Sequence, residues 1–192
     1  MNAPPRAPEL ANCVPARAAR PVAELATGAR WQDLPHRDLD RAELLALAAS
    51  VAADPGLWRE QVAFVDGAER HYACLHRNGH VEVWVLCWTP SNDTGWHDHD
   101  ISSGAVVVTQ GCLVEDNLAL GSASVTTEVP AGLGYSFGPE HIHRLAGRDG
   151  VPGGSVSVHA YSPPLWRMGY YEVDAAGVLR RTSVSYPGGT AG

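Results

Sequence analysis

Positive charge is scarce in this 192-residue sequence: 14 Lys and Arg against 21 Asp and Glu leave a formal net charge of −7. Phosphate backbones are bound by clustered cationic side chains, so this balance argues against a nucleic-acid partner, and no helix-turn-helix pattern supplies one. Long apolar runs are missing too. Nothing approaches the roughly 18 consecutive apolar residues of a transmembrane helix. The N-terminus, with Arg6, Glu9, Arg17 and Arg20 among many Ala and Pro, lacks the apolar core of a secretory signal. A cytoplasmic protein with no membrane partner is therefore expected. Cysteine is sparse, at 13, 74, 87 and 112, and no two form a CxxC pair. That spacing fits neither a zinc knuckle nor a disulfide framework, so the thiols are expected free, with Cys74, Cys87 and Cys112 as small core residues in strands. The remainder, 45% hydrophobic and 18% charged, is ordinary globular usage in a chain long enough for one sizeable core.

Residues 1–24 are rich in Pro, Ala and Arg without a clear period, which predicts an extended or poorly ordered arm before a single domain over 25–192. Asp40 and Glu43 stand at capping-box spacing ahead of the run ELLALAASVAA, which predicts one helix ending before Asp54-Pro55-Gly56. A shorter helix is expected near Trp31. Beyond Pro55 the period changes to two. In His80–Trp88, Val81, Val83, Val85 and Cys87 share one face, while Trp84, Leu86 and Trp88 share the other. A strand apolar on both faces belongs inside a sandwich or barrel. Asn78-Gly79 is a hairpin signal joining it to a strand near Arg70–His76. Further strand-like runs are Ala105–Thr109, Cys112–Glu115, Ser124–Val129, Gly134–Phe137, Val156–Ser162, Gly169–Val173 and Val178–Val184. No internal repeat or second domain is evident. The expected fold is mainly β, a jelly-roll sandwich or barrel with a short N-terminal helical segment.

Nine histidines in a small acidic chain are the chemical signal. In Gly95-Trp96-His97-Asp98-His99, residues two apart on a strand point the same way, so two imidazoles can grip one metal. Alone, HxH is weak. Here Gly104 follows, and after six more residues Gly111, which is the spacing of the first cupin motif except that Gly104 stands where that motif has a glutamate. Pro130-Ala131-Gly132 and Tyr135–His143 resemble the second cupin motif, which delivers another histidine. Three neutral imidazoles would leave a divalent metal's charge uncompensated and coordination positions open. That suits a substrate bringing its own negative charge, such as a thiolate, though imidazole accepts iron, zinc, copper or nickel.

Three ordered motifs narrow the resemblance. Leu86-Cys87-Trp88 followed by His97-Asp98-His99, then Ile142-His143-Arg144, then Ser157-Val158-His159-Ala160-Tyr161-Ser162-Pro163-Pro164 are together similar to the cysteine dioxygenase family. The similarity covers roughly residues 56–175. It implies a cupin fold and Fe(2+) held by His97, His99 and His143, with a small thiol and O2 as reactants. L-cysteine is the first candidate thiol, and a sulfinic acid is the product. It also implies a cis peptide at Ser162–Pro163. His141, two before His143, could be an alternative ligand, but the resemblance places His143 at the metal and His141 at the rim. Ser157, His159 and Tyr161 lie at i, i+2 and i+4 of a strand and can form a polar row. The resemblance implies that Tyr161 faces the iron without ligating it, with His159 and Ser157 behind it.

Two departures bear on function. Animal members carry a cysteine at the position of Gly104, cross-linked to the tyrosine matching Tyr161; with Gly104 that link cannot form. The family also orients its substrate's acid with an arginine or glutamine on an early strand. Counting back from His97 lands among Arg70, His71 and Tyr72. Arg70 and Tyr72 share a face opposite His71, and a guanidinium pairs bidentately with a carboxylate, which favours Arg70. His71, His76 and His80 are expected in solvent, His36 in a loop, and Trp96 and Trp166 as wall packing. The competing readings are a mercaptopropionate-type or other non-cysteine thiol dioxygenase, and a metal-stabilised cupin that binds a small molecule without turnover. A monomer or weak homo-oligomer is expected.

Overall fold

The computed structural model describes residues 19–186, except 66, 68, 119–123, 174, 177 and the side chain of 173. Residues 1–18, with Cys13 and most of the expected arm, lie outside the described residues. The arm's last residues belong to the domain body. Arg20–Pro21 (β1) pairs with Gly134 and Leu133, and Val22–Leu25 makes a helical turn, α1.

Helix α2 spans Arg41–Ala53, and its start is a complete capping box between Asp40 and Glu43. Leu44 to Ala52 are buried save for Ala46, as expected of a helix that is apolar nearly all round. Leu44, Leu47 and Val51 are each at most 1% exposed, so each contributes on the order of 1.5–3 kcal/mol of burial. The Trp31 segment is one 3-10 turn, Trp31–Asp33. No helix among the described residues is long and apolar enough to cross a membrane.

The strands continue as β2 Tyr72–Arg77, β3 Glu82–Trp88, β4 Trp96–Asp98, β5 Ser103–Gln110, β6 Cys112–Asn117 and β7 Val125–Pro130. Then follow β8 Leu133–Phe137, β9 His143–Gly147, β10 Ser155–Ser162, β11 Arg167–Val173 and β12 Leu179–Ser185. They form two six-stranded sheets, ordered β1-β8-β5-β10-β3-β2 and β12-β11-β4-β9-β6-β7. The central strands of the first sheet, β5, β10 and β3, are largely buried on both sides. Val81, Val83, Val85 and Cys87 join α2 in one core, whereas Trp84, Leu86 and Trp88 join the layer between the sheets. The two-faced apolarity of β3 has this origin. The Asn78 side chain closes the β2–β3 hairpin by accepting from the amides of His80 and Val81.

Three expectations need correction. Cys74 is exposed, and only Cys87 and Cys112 serve as core residues. His76 is half-buried and stacks on Trp31 at 5.4 Å, so it is not a solvated hairpin residue. Trp166 is 44% exposed and packs beneath Arg77 rather than in a buried wall.

Candidate metal centre

Strand β4 carries His97 between β11 and β9, in register with Tyr170 on one side and His143 on the other. His99 stands one residue beyond the end of the strand, where Asp100 takes a left-handed φ of 54°. Short polar residues such as Asp tolerate that region better than most. The segment is held from outside by Asp98. Its carboxylate accepts from Arg181 at 2.6 and 2.7 Å, from the Tyr171 hydroxyl at 2.6 Å, and from the amides of Asp100 and Gly169. With Asp98 fixed outward, both imidazoles of the motif face inward.

There they meet His143. One donor atom from each of the three rings lies within 4.8 Å of the others, and all three residues are buried. Burial lowers the pKa of all three: His97 falls to about 3, and His99 and His143 also drop, His143 against an opposing hydrogen bond. They are therefore neutral, the form in which imidazole ligates. Both nitrogens of His99 and the Nε2 of His143 are buried without any hydrogen-bond partner. Such atoms ordinarily cost about 1–3 kcal/mol each. Convergent lone pairs with nothing to accept from fit a transition-metal ion.

Beside this cluster lies a residue that sequence reasoning missed. Glu115, 3% exposed on β6, accepts from His143 Nδ1 at 2.8 Å and His141 Nε2 at 3.1 Å. Burial would raise its carboxyl, but the two histidine hydrogen bonds outweigh burial and hold it well below the usual carboxylate range. Glu115, His141 and His143 form a second set of donors close enough to hold a metal.

A cavity of about 640 Å³ opens onto His97, His159 and Tyr161. Arg70 and Tyr72 both line it, as their shared face requires, while His71 turns away and bonds the Gln61 carbonyl at 2.9 Å. Arg70 lies with its guanidinium 4.2 Å above the Trp88 ring, its Nε buried and without a partner. The other cavity guanidinium, Arg77, is engaged by Glu82 at 3.3 Å. Tyr72 is 60% exposed and meets the edge of Trp84. Trp84 and Trp88 form the indole wall expected of Trp96 and Trp166.

On β10 the polar row is continuous. Ser157 Oγ lies 2.8 Å from His159 Nε2, and His159 Nδ1 lies 3.1 Å from the Tyr161 hydroxyl. Trp88, which the sequence reading did not include, extends the row by donating Nε1–H to Ser157 at 2.8 Å. The peptide Ser162–Pro163 is cis.

Gly104 stands in register between Tyr161 and Phe137. A Cβ built there would run into the Phe137 ring. That ring also packs against His99, His141 and His143 at 4.9–5.0 Å. Absence of the cross-linking side chain thus has a packing counterpart: an aromatic ring fills the space.

Among solved structures, the chain is similar to KdgF from Halomonas sp., with 11% identity over 56% of this chain and 92% of that one and a TM-score of 0.45. It is also similar to an uncharacterized conserved protein with a double-stranded beta-helix domain from Klebsiella pneumoniae, with 15% identity, coverage of 64% and 91%, and a TM-score of 0.46. A cupin domain from Bordetella pertussis gives 22% identity, coverage of 53% and 100%, and a TM-score of 0.41. These likenesses are too slight to argue from. The family model for cysteine dioxygenase type I, by contrast, matches residues 15–173. That span takes in the histidine cluster and the polar row, and the chain belongs to the cysteine dioxygenase type I family.

Proposed function

We propose that this protein is a non-haem Fe(2+) thiol dioxygenase that converts a small thiol acid, L-cysteine first among candidates, into its sulfinic acid with O2. The observation carrying this reading is the cluster of neutral, buried imidazoles with unpartnered nitrogens, whose member His97 lines the same cavity as Arg70, itself with a buried, unpartnered Nε. His97, His99 and His143 would hold the ion, which when bound supplies O2 activation and a positive anchor for a thiolate. Around it the chain's own residues position and protect. Arg70 offers a charge-assisted contact to a carboxylate. Trp84, Trp88 and Leu86 present apolar wall that excludes water.

The polar row has a direction. Indole can only donate, so Trp88 fixes Ser157 as acceptor at one lone pair. Ser157 is fully buried, and its own proton has one acceptor among the described residues, His159 Nε2. His159, kept neutral by burial, then carries its proton on Nδ1 and donates to the Tyr161 oxygen. The Tyr161 phenol, pushed well above its usual pKa by burial, keeps its own proton and is free to donate it into the cavity.

Replacing Tyr161 with Phe is expected to leave metal content unchanged and to lower turnover or oxygen-to-sulfur coupling. A donor aimed at developing charge is typically worth roughly 10²–10³ in rate. The loss here should sit at or below the lower end, because the redox chemistry belongs to the metal. Unchanged rate and coupling would reduce Tyr161 to packing. Oxygen uptake with cysteine, mercaptopropionate and cysteamine tests the function itself. Uptake with a thiol acid supports it. No uptake with any thiol favours a metal-stabilised binding cupin.

A further inference from the structure

The three ligand candidates differ in what holds their outer nitrogens. His97 Nδ1 faces the Gly95 carbonyl at 3.0 Å, and His99 has no partner at either nitrogen. His143 alone meets a side chain: its Nδ1 lies 2.8 Å from Glu115 Oε1. The same oxygen meets His141 Nε2 at 3.1 Å, and Asn117 Nδ2 donates to the other oxygen at 3.2 Å. All the groups that meet the carboxylate are donors, and its cage lies between β6 and β9, where Asn117 pairs with His143.

A carboxylate only accepts, so His143 must carry its proton on Nδ1 and present an unprotonated Nε2. That Nε2 is buried and without a hydrogen-bond partner, as both nitrogens of His99 are. Gly104 supplies no ligating carboxylate, and Glu115 sets one negative charge behind a ligand instead. We propose that Glu115 is a positioning residue that locks His143 in the Nδ1–H tautomer, aims its Nε2 at the metal and lends the three-histidine site a negative charge. This rests on reading His143 as a ligand. It also assigns the Glu115–His141–His143 set to hydrogen bonding and leaves the metal to the other set.

The two contributions separate by substitution. Glu115→Gln keeps an acceptor of the same size without the charge, whereas Glu115→Ala removes both. Outer partners of ligating histidines typically contribute tenfold to a hundredfold in metal affinity, roughly. Chelator competition with zinc should show Glu115→Gln about tenfold weaker than the parent and Glu115→Ala weaker still. Long-range proton–nitrogen NMR of the metal-free proteins should show His143 as Nδ1–H in the parent and in Glu115→Gln, and as a tautomer mixture in Glu115→Ala. A purely structural role would lower melting temperature without moving the tautomer. The proposal is overturned if His143 keeps its tautomer and zinc affinity stays within about twofold in Glu115→Ala. It is also overturned if Glu115→Gln and His141→Ala abolish zinc binding while His97→Ala retains it, which would make the second set the metal site. None of these readouts involves thiol oxidation, so they stand or fall apart from the proposed activity.

Discussion

His97→Ala, His99→Ala and His143→Ala each abolish stoichiometric iron binding, whereas His141→Ala leaves it largely intact. This contrast follows from the geometry of four neighbouring imidazoles. His97, His99 and His143 bring their donor atoms within 4.8 Å of one another, and removing any one leaves two ligands in a buried pocket. His141 is half-buried, stacks on Phe137 at 4.9 Å and spends its Nε2 on Glu115. Losing a ligand should exceed the roughly tenfold to hundredfold cost of losing an outer partner. Metal analysis after desalting separates the four variants. Full iron in the His143 variant, with none in the His141 variant, would move the ligand to His141.

Arg70→Ala raises the Michaelis constant for cysteine far more than for cysteamine. Arg70 is buried enough that desolvation lowers its pKa, and its Nε is unpaired. Asp93, which lines the same cavity, is engaged by Arg144. A bound carboxylate would satisfy the guanidinium, and hydrogen bonds to charged groups contribute about 1.5–3 kcal/mol. At 1.4 kcal/mol per tenfold, the cysteine constant should rise by roughly tenfold to a hundredfold. Cysteamine lacks the acid and should change little. Equal effects on both thiols would transfer the contact to Tyr72 on the same cavity face, or place the substrate outside the thiol acids. His71 bonds the Gln61 carbonyl and is not among the residues lining the cavity.

What could be read from the sequence was local. Two-residue spacing placed His97 with His99 and Ser157 with His159 and Tyr161, because a side chain's face on a strand follows from counting. The capping box at Asp40 and Glu43 and the two apolar faces of β3 are local in the same sense. Glu115 was not legible. In the run CLVEDN it reads as the polar side of a half-exposed strand, and its burial arises only from the pairing of β6 with β9. Trp88 as the first member of the polar row depends likewise on β3 lying beside β10. The stacking of His76 on Trp31 joins a strand to a 3-10 turn far earlier in the chain, so no periodicity announces it. The exposure of Cys74 follows from the alternation itself: it shares a face of β2 with exposed Tyr72, while Ala73 and Leu75 face the core. The early-strand ambiguity among Arg70, His71 and Tyr72 arose because residue spacing alone could not fix the hairpin register.

Thiol dioxygenation at the three-histidine centre can be followed by isotope incorporation. Iron-loaded protein would be supplied with cysteine under heavy-isotope dioxygen, and the product's mass would be measured alongside oxygen consumed. The expected product is a sulfinic acid in which both oxygen atoms carry the heavy isotope, formed one-for-one with oxygen consumed. A thiol that is left unoxidised, or is oxidised only to disulfide with no oxygen from the gas in the product, would contradict it.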